Sequence, residues 1–465
     1  MKSVALHTLG CKLNFTETST VGRQFLDHGF GVVEFDQPAD VYVLNTCSVT
    51  ERADRECRQL IRRALRTRPD AYVVVMGCYA QLQPEEVGGI EGVDLVLGTK
   101  EKFNVFGLAG NFTKKGVPQV FVSCIDESIR FDEAFSSEVG GRTRAFLKVQ
   151  DGCDFGCSFC TIPLARGATR SQPVQAVLAQ AETIVRHGYR EIVLTGVNVG
   201  DYGKKSRSSL LQLMMELEKV SGLDRVRISS IEPNLVTDDM VEFVLGSEKF
   251  CNHFHLPLQS GSDTILRSMR RRYGSGHYRR LVEYIKGRDP DTAIGVDVIT
   301  GFPGETEKLF EETCSFLSDL PISYLHVFTY SERSNTPAAH FPGSVEPRFR
   351  FKRNEVLRHL SRKKRRAFHS SFVGKALPVL FESRSNGESM SGLTRNYIRV
   401  EAQSKHALVN EIHAVKIEEI DDNVCRGYLI SSESHHSAQS VGQPYPMGSF
   451  AAKDSLTHLS AHSTL

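Results

Sequence analysis

The run Gly152-Cys153-Asp154-Phe155-Gly156-Cys157-Ser158-Phe159-Cys160 carries three cysteines at Cys-x3-Cys-x2-Cys spacing. Three thiolates from one loop can bind three irons of a 4Fe–4S cluster and leave the fourth iron without a protein ligand. That open iron suits a chelating small molecule. The spacing differs from the four-cysteine runs of ferredoxins, and a tetrahedral zinc site wants four ligands. A zinc knuckle completed by a distant His or Cys is the competing reading. Cys11, Cys47 and Cys78 form a second set. Their spacing alone leaves two readings open, because cysteine is also a small buried hydrophobe. The flanks favour ligation: Gly10 and Gly77 stand directly before Cys11 and Cys78, and glycine lets the backbone approach a bulky group.

These cysteines need strands to bring them together, and the chain supplies the pattern. Residues 4–12, 41–47 and 71–80 read as strands, with helical stretches at 16–28 and 51–68 between them. Such alternation implies a parallel sheet. Cys11, Cys47 and Cys78 each follow one of these strands, on the edge where open parallel sheets bind ligands. Residues 105–140 read as the connection to a second unit. There, six strands at 145–150, 191–196, 225–231, 253–258, 293–301 and 323–330 alternate with helices. This is the pattern of a (β/α) barrel or partial barrel, whose chemistry lies at the C-terminal strand ends. The cysteine loop follows its first strand. Residues 348–366 are a basic helix, and short alternating strands after it predict a small all-β barrel. The expected division is 1–120, 139–368, 372–432 and a Ser/His-rich tail at 433–465, read as disordered.

The apolar content of 40% and charged content of 24% are those of a soluble globular chain. The net charge of +2 names no partner. Residues 1–10 hold no stretch apolar enough for a signal peptide, and no run approaches the ~20 apolar residues of a membrane helix. The expectation is a cytoplasmic protein with no membrane partner. Thiols stay reduced there, so clustered cysteines serve metals or catalysis rather than cross-links.

On these residues the chain resembles a methylthiotransferase of the radical-SAM (S-adenosylmethionine) superfamily over residues 3–432. The resemblance implies an α/β fold in three parts: an N-terminal Rossmann-like sheet domain, a central partial (β/α) barrel of six units and a C-terminal TRAM barrel. It implies two 4Fe–4S clusters. Cys153, Cys157 and Cys160 would hold the radical-generating one, and Cys11, Cys47 and Cys78 the auxiliary one. The remaining cysteines match no ligand position and are read as packing. The stretch Thr8-Leu9-Gly10-Cys11-Lys12-Leu13-Asn14-Phe15-Thr16-Glu17-Thr18 resembles the branch acting on threonylcarbamoyladenosine in tRNA. So does Thr161-Ile162-Pro163-Leu164-Ala165-Arg166-Gly167 with Arg170-Ser171. The isopentenyladenosine branch more usually shows Gln-Met-Asn after the first cysteine, and the ribosomal protein S12 branch Pro-Lys-Asn.

The reaction so implied is methylthiolation of carbon-2 of that adenosine, next to the anticodon. One SAM gives a methyl group, and a second is cleaved to a 5′-deoxyadenosyl radical. The partners implied are the tRNA anticodon loop, an external one-electron donor of flavodoxin or ferredoxin type, and a sulfur donor. For SAM, the candidates are Phe159 against the adenine and Gly196 and Asn198 near the methionyl amine. Glu232 would bind the ribose hydroxyls, Gln259 would line the cavity, and Asp297 and Gly301 lie where a Gly-rich turn approaches the adenine. For RNA, they are Arg271 and Arg272, the run Arg362-Lys363-Lys364-Arg365, and Arg395, Asn396 and Tyr397 in a TRAM-like stretch. Rival readings are the same chemistry on isopentenyladenosine or on an aspartate of ribosomal protein S12, or a zinc-stabilised RNA-binding protein.

Overall fold

A computed structural model describes residues 1–48, 51–125, 131–136, 143–384, 388–421 and 423–430. The tail read as disordered lies outside these residues. The N-terminal sheet runs in the order Gly31–Val33, Ser3–Thr8, Val41–Thr46, Tyr72–Gly77, Leu95–Leu97, Gln119–Phe121, with every pair parallel. Val41–Thr46 and Tyr72–Gly77 are buried throughout, which is why they read as continuous apolar runs. Separate apolar clusters cover the two faces. One forms around Tyr42, Leu44, Ile61 and Val75, the other around Val21, Phe25, Val43 and Met76. The stretch read as a connection does more than connect. Residues Val105–Ala109 form a helix and Gln119–Phe121 the edge strand of this sheet. A three-residue edge strand is too short for a periodicity to show in sequence.

The second unit holds all six expected strands. Arg144–Lys148, Glu191–Thr195 and Arg225–Ile228 pair in parallel, as do His253–His255, Ala293–Thr300 and Tyr324–Thr329. Parallel bridges Val226–Phe250 and Ser230–His255 join the two triplets into one arc in chain order. The first and last strands do not pair, so the barrel is open along that side among the described residues. Helix Lys12–Asp27 packs on the first strand, with Phe15 edge-on to Phe146 at 5.7 Å. Helix Pro347–Ser370 packs on the last. The N-terminal unit thereby covers the side that the barrel leaves open.

The third unit is a closed barrel of Ala376–Arg384, Ser389–Thr394, Arg399–Gln403, Val424–Leu429 and Ile412–Asp421. Its core is Phe372, Val379, Phe381, Met390, Val400, Val415 and Cys425. Buried arginines of the third barrel strand bind it from below. Arg225 donates to the carbonyls of Leu393 and Pro378, each at 2.8 Å, and Arg227 to those of Arg395 at 2.9 Å and Thr394 at 3.2 Å. No described helix is long and apolar enough to cross a membrane.

Candidate active site

Parallel register brings the first three cysteines to one edge. Thr8 is level with Asn45, and Thr46 with Gly77, so the chain leaves all three strands side by side. Cys11 then precedes helix Lys12–Asp27, Cys47 follows Val41–Thr46, and Cys78 opens helix Cys78–Leu82. Asn14 ties the turns together. Its Nδ2 donates to Leu9 O at 2.8 Å and to Thr46 O at 3.0 Å, while Asn45 Nδ2 donates to Asn14 O at 2.9 Å. Gly10 has φ +97°, and a Cβ there would stand 2.6 Å from Cys47 Cβ and 2.9 Å from its Sγ. Only glycine lets the two turns approach so closely.

The second set lies in the loop after Arg144–Lys148. Burial pushes the Cys153 thiol up to about 12, helped by Cys157 nearby. Burial also raises Cys157 and Cys160, and the thiols act on one another. Arg271 Nη1 donates to Cys157 Sγ at 3.1 Å, and the same guanidinium pairs with Glu232 and donates to Tyr273 Oη. All eleven cysteines are free thiols. Two sets of three thiols, neither with a fourth cysteine, fit clusters that each keep one iron open.

One buried ion network joins the sets. Helix Ile162–Arg166, just after Cys160, packs on helix Cys78–Leu82. Its last residue, Arg166, donates to Glu17 at 2.9 Å, Asp151 at 3.1 Å and Asn14 Oδ1 at 2.6 Å. Lys102 reaches Glu17 at 2.6 Å; Lys148 and Arg170 reach Asp151, each at 2.8 Å. These cations hold both carboxyls below the usual carboxylate range despite burial. Arg166, Lys102, Lys148 and Arg170 thus outnumber Glu17 and Asp151. The surplus charge acts on Cys11, and Cys78 in turn raises Arg166. A cluster held by Cys11, Cys47 and Cys78 would bring negative charge to this pocket. Removing one member of such a network strands buried charge, at a cost of about 3–5 kcal/mol. Arg166→Met is therefore expected to lower the urea midpoint clearly. An unchanged midpoint would show that the network does not hold the two units together.

Residues 3–98 match the family described as Uncharacterized protein family UPF0004, and residues 147–317 match the Radical SAM superfamily. The threonylcarbamoyladenosine tRNA methylthiotransferase MtaB of Bacillus subtilis (strain 168) is 40% identical over 90% of this chain and 94% of its own. The chain belongs to the radical-SAM methylthiotransferase family. The protein of the same name from Aquifex aeolicus (strain VF5) is 38% identical over 86% of this chain and 96% of its own. The tRNA-2-methylthio-N(6)-dimethylallyladenosine synthase of Methylacidiphilum infernorum (isolate V4) is 31% identical over 85% and 88%. Among solved structures, the radical S-adenosylmethionine methyltransferase TsrM of Kitasatospora setae, with cobalamin and a 4Fe–4S cluster bound, shares the fold. The TM-score is 0.52 at 16% identity, over 73% of this chain and 77% of that one. As a member of the methylthiotransferase family, this chain is an enzyme, and its radical-SAM part is of the kind that works with SAM and an iron–sulfur cluster.

In this methylthiotransferase the residues read as SAM contacts fall into two groups. Asn198 and Glu232 stand together near the cysteine loop. Asn198 Nδ2 donates to Asp201, its Oδ1 accepts from Glu232 N, and Glu232 pairs with Arg271. Gln259 has φ +73°, a conformation a non-glycine residue holds only where its surroundings impose it. The other group has packing reasons. Phe159 is edge-on to Phe302 at 6.4 Å. A Cβ on Gly196 would stand 2.8 Å from Gln150 Oε1, and one on Gly301 would overlap Arg350 Cγ. Asp297 Oδ1 accepts from His255 Nε2 at 2.8 Å.

The RNA reading needs correction at several residues. Arg271 is turned inward, 3% exposed, against Cys157 and Glu232. Arg395 donates to the carbonyls of Ser247, Glu248 and Phe250, and Asn396 to that of Asp291. Tyr397 stacks on His253 at 4.6 Å. These three bind the small barrel to the large one, with Asn396 buried and Arg395 and Tyr397 half-buried. Lys364 donates to the carbonyls of Ser318 and Leu320, and Arg365 donates to Asn423 and lies over the Tyr324 ring. Arg272, Arg362 and Lys363 stay exposed. Sequence reasoning missed the network of Arg166, Glu17 and Asp151. Its trace was there: two of its members lie inside the stretches that carried the family resemblance.

Proposed function

We propose that this enzyme methylthiolates carbon-2 of N6-threonylcarbamoyladenosine in tRNA, using two 4Fe–4S clusters and two molecules of SAM. Arg166 is the observation that carries the reading. It ends the helix after Cys160 and donates to Asn14 Oδ1 at 2.6 Å, the side chain that ties the turns of Cys11 and Cys47, which supports two three-thiol sets in one site. The names of the relatives at 40% and 38% identity support this substrate over the dimethylallyl one at 31%.

Carbon-2 of adenine has no acidic proton and no leaving group, which closes polar routes. When bound, SAM and the clusters supply the radical that takes this hydrogen and the methylthio group that replaces it. The chain's own residues hold and shield. Six thiols would hold the iron, and Arg271 donates to Cys157 Sγ at 3.1 Å, where it would offset a thiolate's charge. Asn14 and Asn45 fix the turns around Cys11 and Cys47, and helix Lys12–Asp27 closes the open side of the barrel against water. The adenosine has to be splayed out of the anticodon loop to enter. Arg362 and Lys363 are exposed and can meet phosphates. The electron and the replacement sulfur come from outside partners.

The test is mass spectrometry of tRNA nucleosides from cells with and without the gene. The 2-methylthio form of threonylcarbamoyladenosine should vanish, and its unmethylthiolated form should accumulate. Loss of the isopentenyl counterpart instead, or no change in tRNA, overturns the substrate assignment.

A further inference from the structure

One turn grips the cysteine loop along its length. Helix Asp263–Ser268 ends at Met269, and Arg270 takes φ +58°, which reverses the chain over the loop. Ser158 Oγ donates to Ser268 O at 2.8 Å, and Ser158 N to Met269 O at 3.1 Å. Arg272 donates to Asp154 O at 3.1 Å and lies over the Phe155 ring at 3.9 Å. Between these contacts Arg271 reaches a thiol. Its side chain is 3% exposed. Nη1 donates to Cys157 Sγ at 3.1 Å, Nε and Nη2 donate to Tyr273 Oη at 3.0 and 2.9 Å, and Nη2 pairs with Glu232. Tyr273 Oη donates in turn to Pro257 O at 2.5 Å. Among the described residues no other side chain donates to Cys153, Cys157 or Cys160. Packing alone does not call for a cation here. Ser158 and Arg272 already hold the loop, and a buried guanidinium is costly to desolvate.

We propose that Arg271 is a positioning residue that raises the reduction potential of the cluster held by Cys153, Cys157 and Cys160, with Glu232 opposing it. This rests on the cluster assignment made above. Cluster potentials follow net charge and the hydrogen bonds to the sulfurs. One electron from the external donor adds one negative charge, shared by the cluster and its thiolates. A desolvated cation that donates to one of these sulfurs favours the reduced form over the oxidised one. Glu232 brings the opposite charge to the same guanidinium and tempers the effect. Tyr273 fixes where that guanidinium points. Two adjacent residues of opposite sign thus set how readily the electron that cleaves SAM is accepted.

The test is a redox titration of the anaerobically reconstituted holoenzyme, poised with titanium(III) citrate and read by electron paramagnetic resonance. The signal that SAM alters marks the cluster of the cysteine loop, and the other cluster is the internal control. Arg271→Met should lower the first midpoint and leave the second. A hydrogen bond made by a charge is worth about 10–100-fold in an equilibrium. Only part of the added charge falls on Cys157, so the lower end applies. The reduced-to-oxidised ratio should drop about tenfold, which for one electron is about 59 mV. Arg271→Lys should fall between. Glu232→Gln keeps the shape, removes the opposing charge and should raise the midpoint. Iron per chain is measured on the same samples. A merely structural role would cost iron or move both variants the same way. Unchanged midpoints, or shifts of one sign in Arg271→Met and Glu232→Gln, overturn the inference. If Arg271→Met fails to hold iron, Glu232→Gln decides: a raised midpoint supports the inference and any other result overturns it. A wild-type holoenzyme with no signal that SAM alters overturns the cluster assignment instead.

Discussion

Cys157→Ala is expected to lower 5′-deoxyadenosine formation from SAM by more than about a hundredfold. Loss of an outer partner of a metal ligand costs about 10–100-fold, and loss of the ligand itself must exceed that. Cys157 is the middle thiol of its loop. It acts on both neighbours and is the one that Arg271 reaches at 3.1 Å. Without it two thiols remain, and the guanidinium of Arg271 faces an empty position beside Glu232. The measurement is iron per chain after anaerobic reconstitution, with 5′-deoxyadenosine counted by chromatography. A variant that still cleaves SAM would place the radical-generating cluster elsewhere. Circular dichroism on the same sample separates lost chemistry from lost fold.

Cys47→Ala should part the two activities. SAM cleavage should stay within a few-fold of wild type, because Cys47 lies on the rim of the other sheet. Methylthiolated nucleoside should fall by more than about a hundredfold, by the same comparison with outer-partner losses. Gly10→Ala offers an independent route to this outcome. Its new Cβ would crowd Cys47 Cβ and Sγ at 2.6 and 2.9 Å, at a residue with φ +97°, so the thiol has to move without being removed. Methylthiolated product from purified Cys47→Ala enzyme would falsify the assignment of the auxiliary cluster. Loss of both activities would instead show that the rim thiols also support the cysteine loop, through Arg166.

The second thiol set was legible because Cys153, Cys157 and Cys160 sit in one short loop, where spacing alone fixes how ligands can meet. The strands were legible for a similar reason: burial on both faces gives continuous apolar runs, and helices between them force parallel pairing. The first thiol set needed more. Cys11, Cys47 and Cys78 are neighbours only because the register sets Thr8 beside Asn45 and Thr46 beside Gly77, and no local pattern states a register between distant strands.

Charged residues were the least legible, because a charge in sequence does not say which way it faces. Arg271 and Arg395 look like solvent-facing RNA contacts, and Tyr397 like a stacking platform. The large barrel's own fold turns Arg271 onto Cys157, and docking of the small barrel lays Arg395 and Tyr397 against it, where Arg395 donates to the carbonyls of Ser247 and Phe250 and Tyr397 stacks on His253. Gly301 looked like room for a ligand and is room for the Arg350 stem. Sequence by itself determined the chemistry available to this protein, through residue types and short spacings that no folding step can change. Tertiary structure alone decided which charges meet, since burying Arg166 with Glu17 depends on contacts between segments that the chain order keeps far apart.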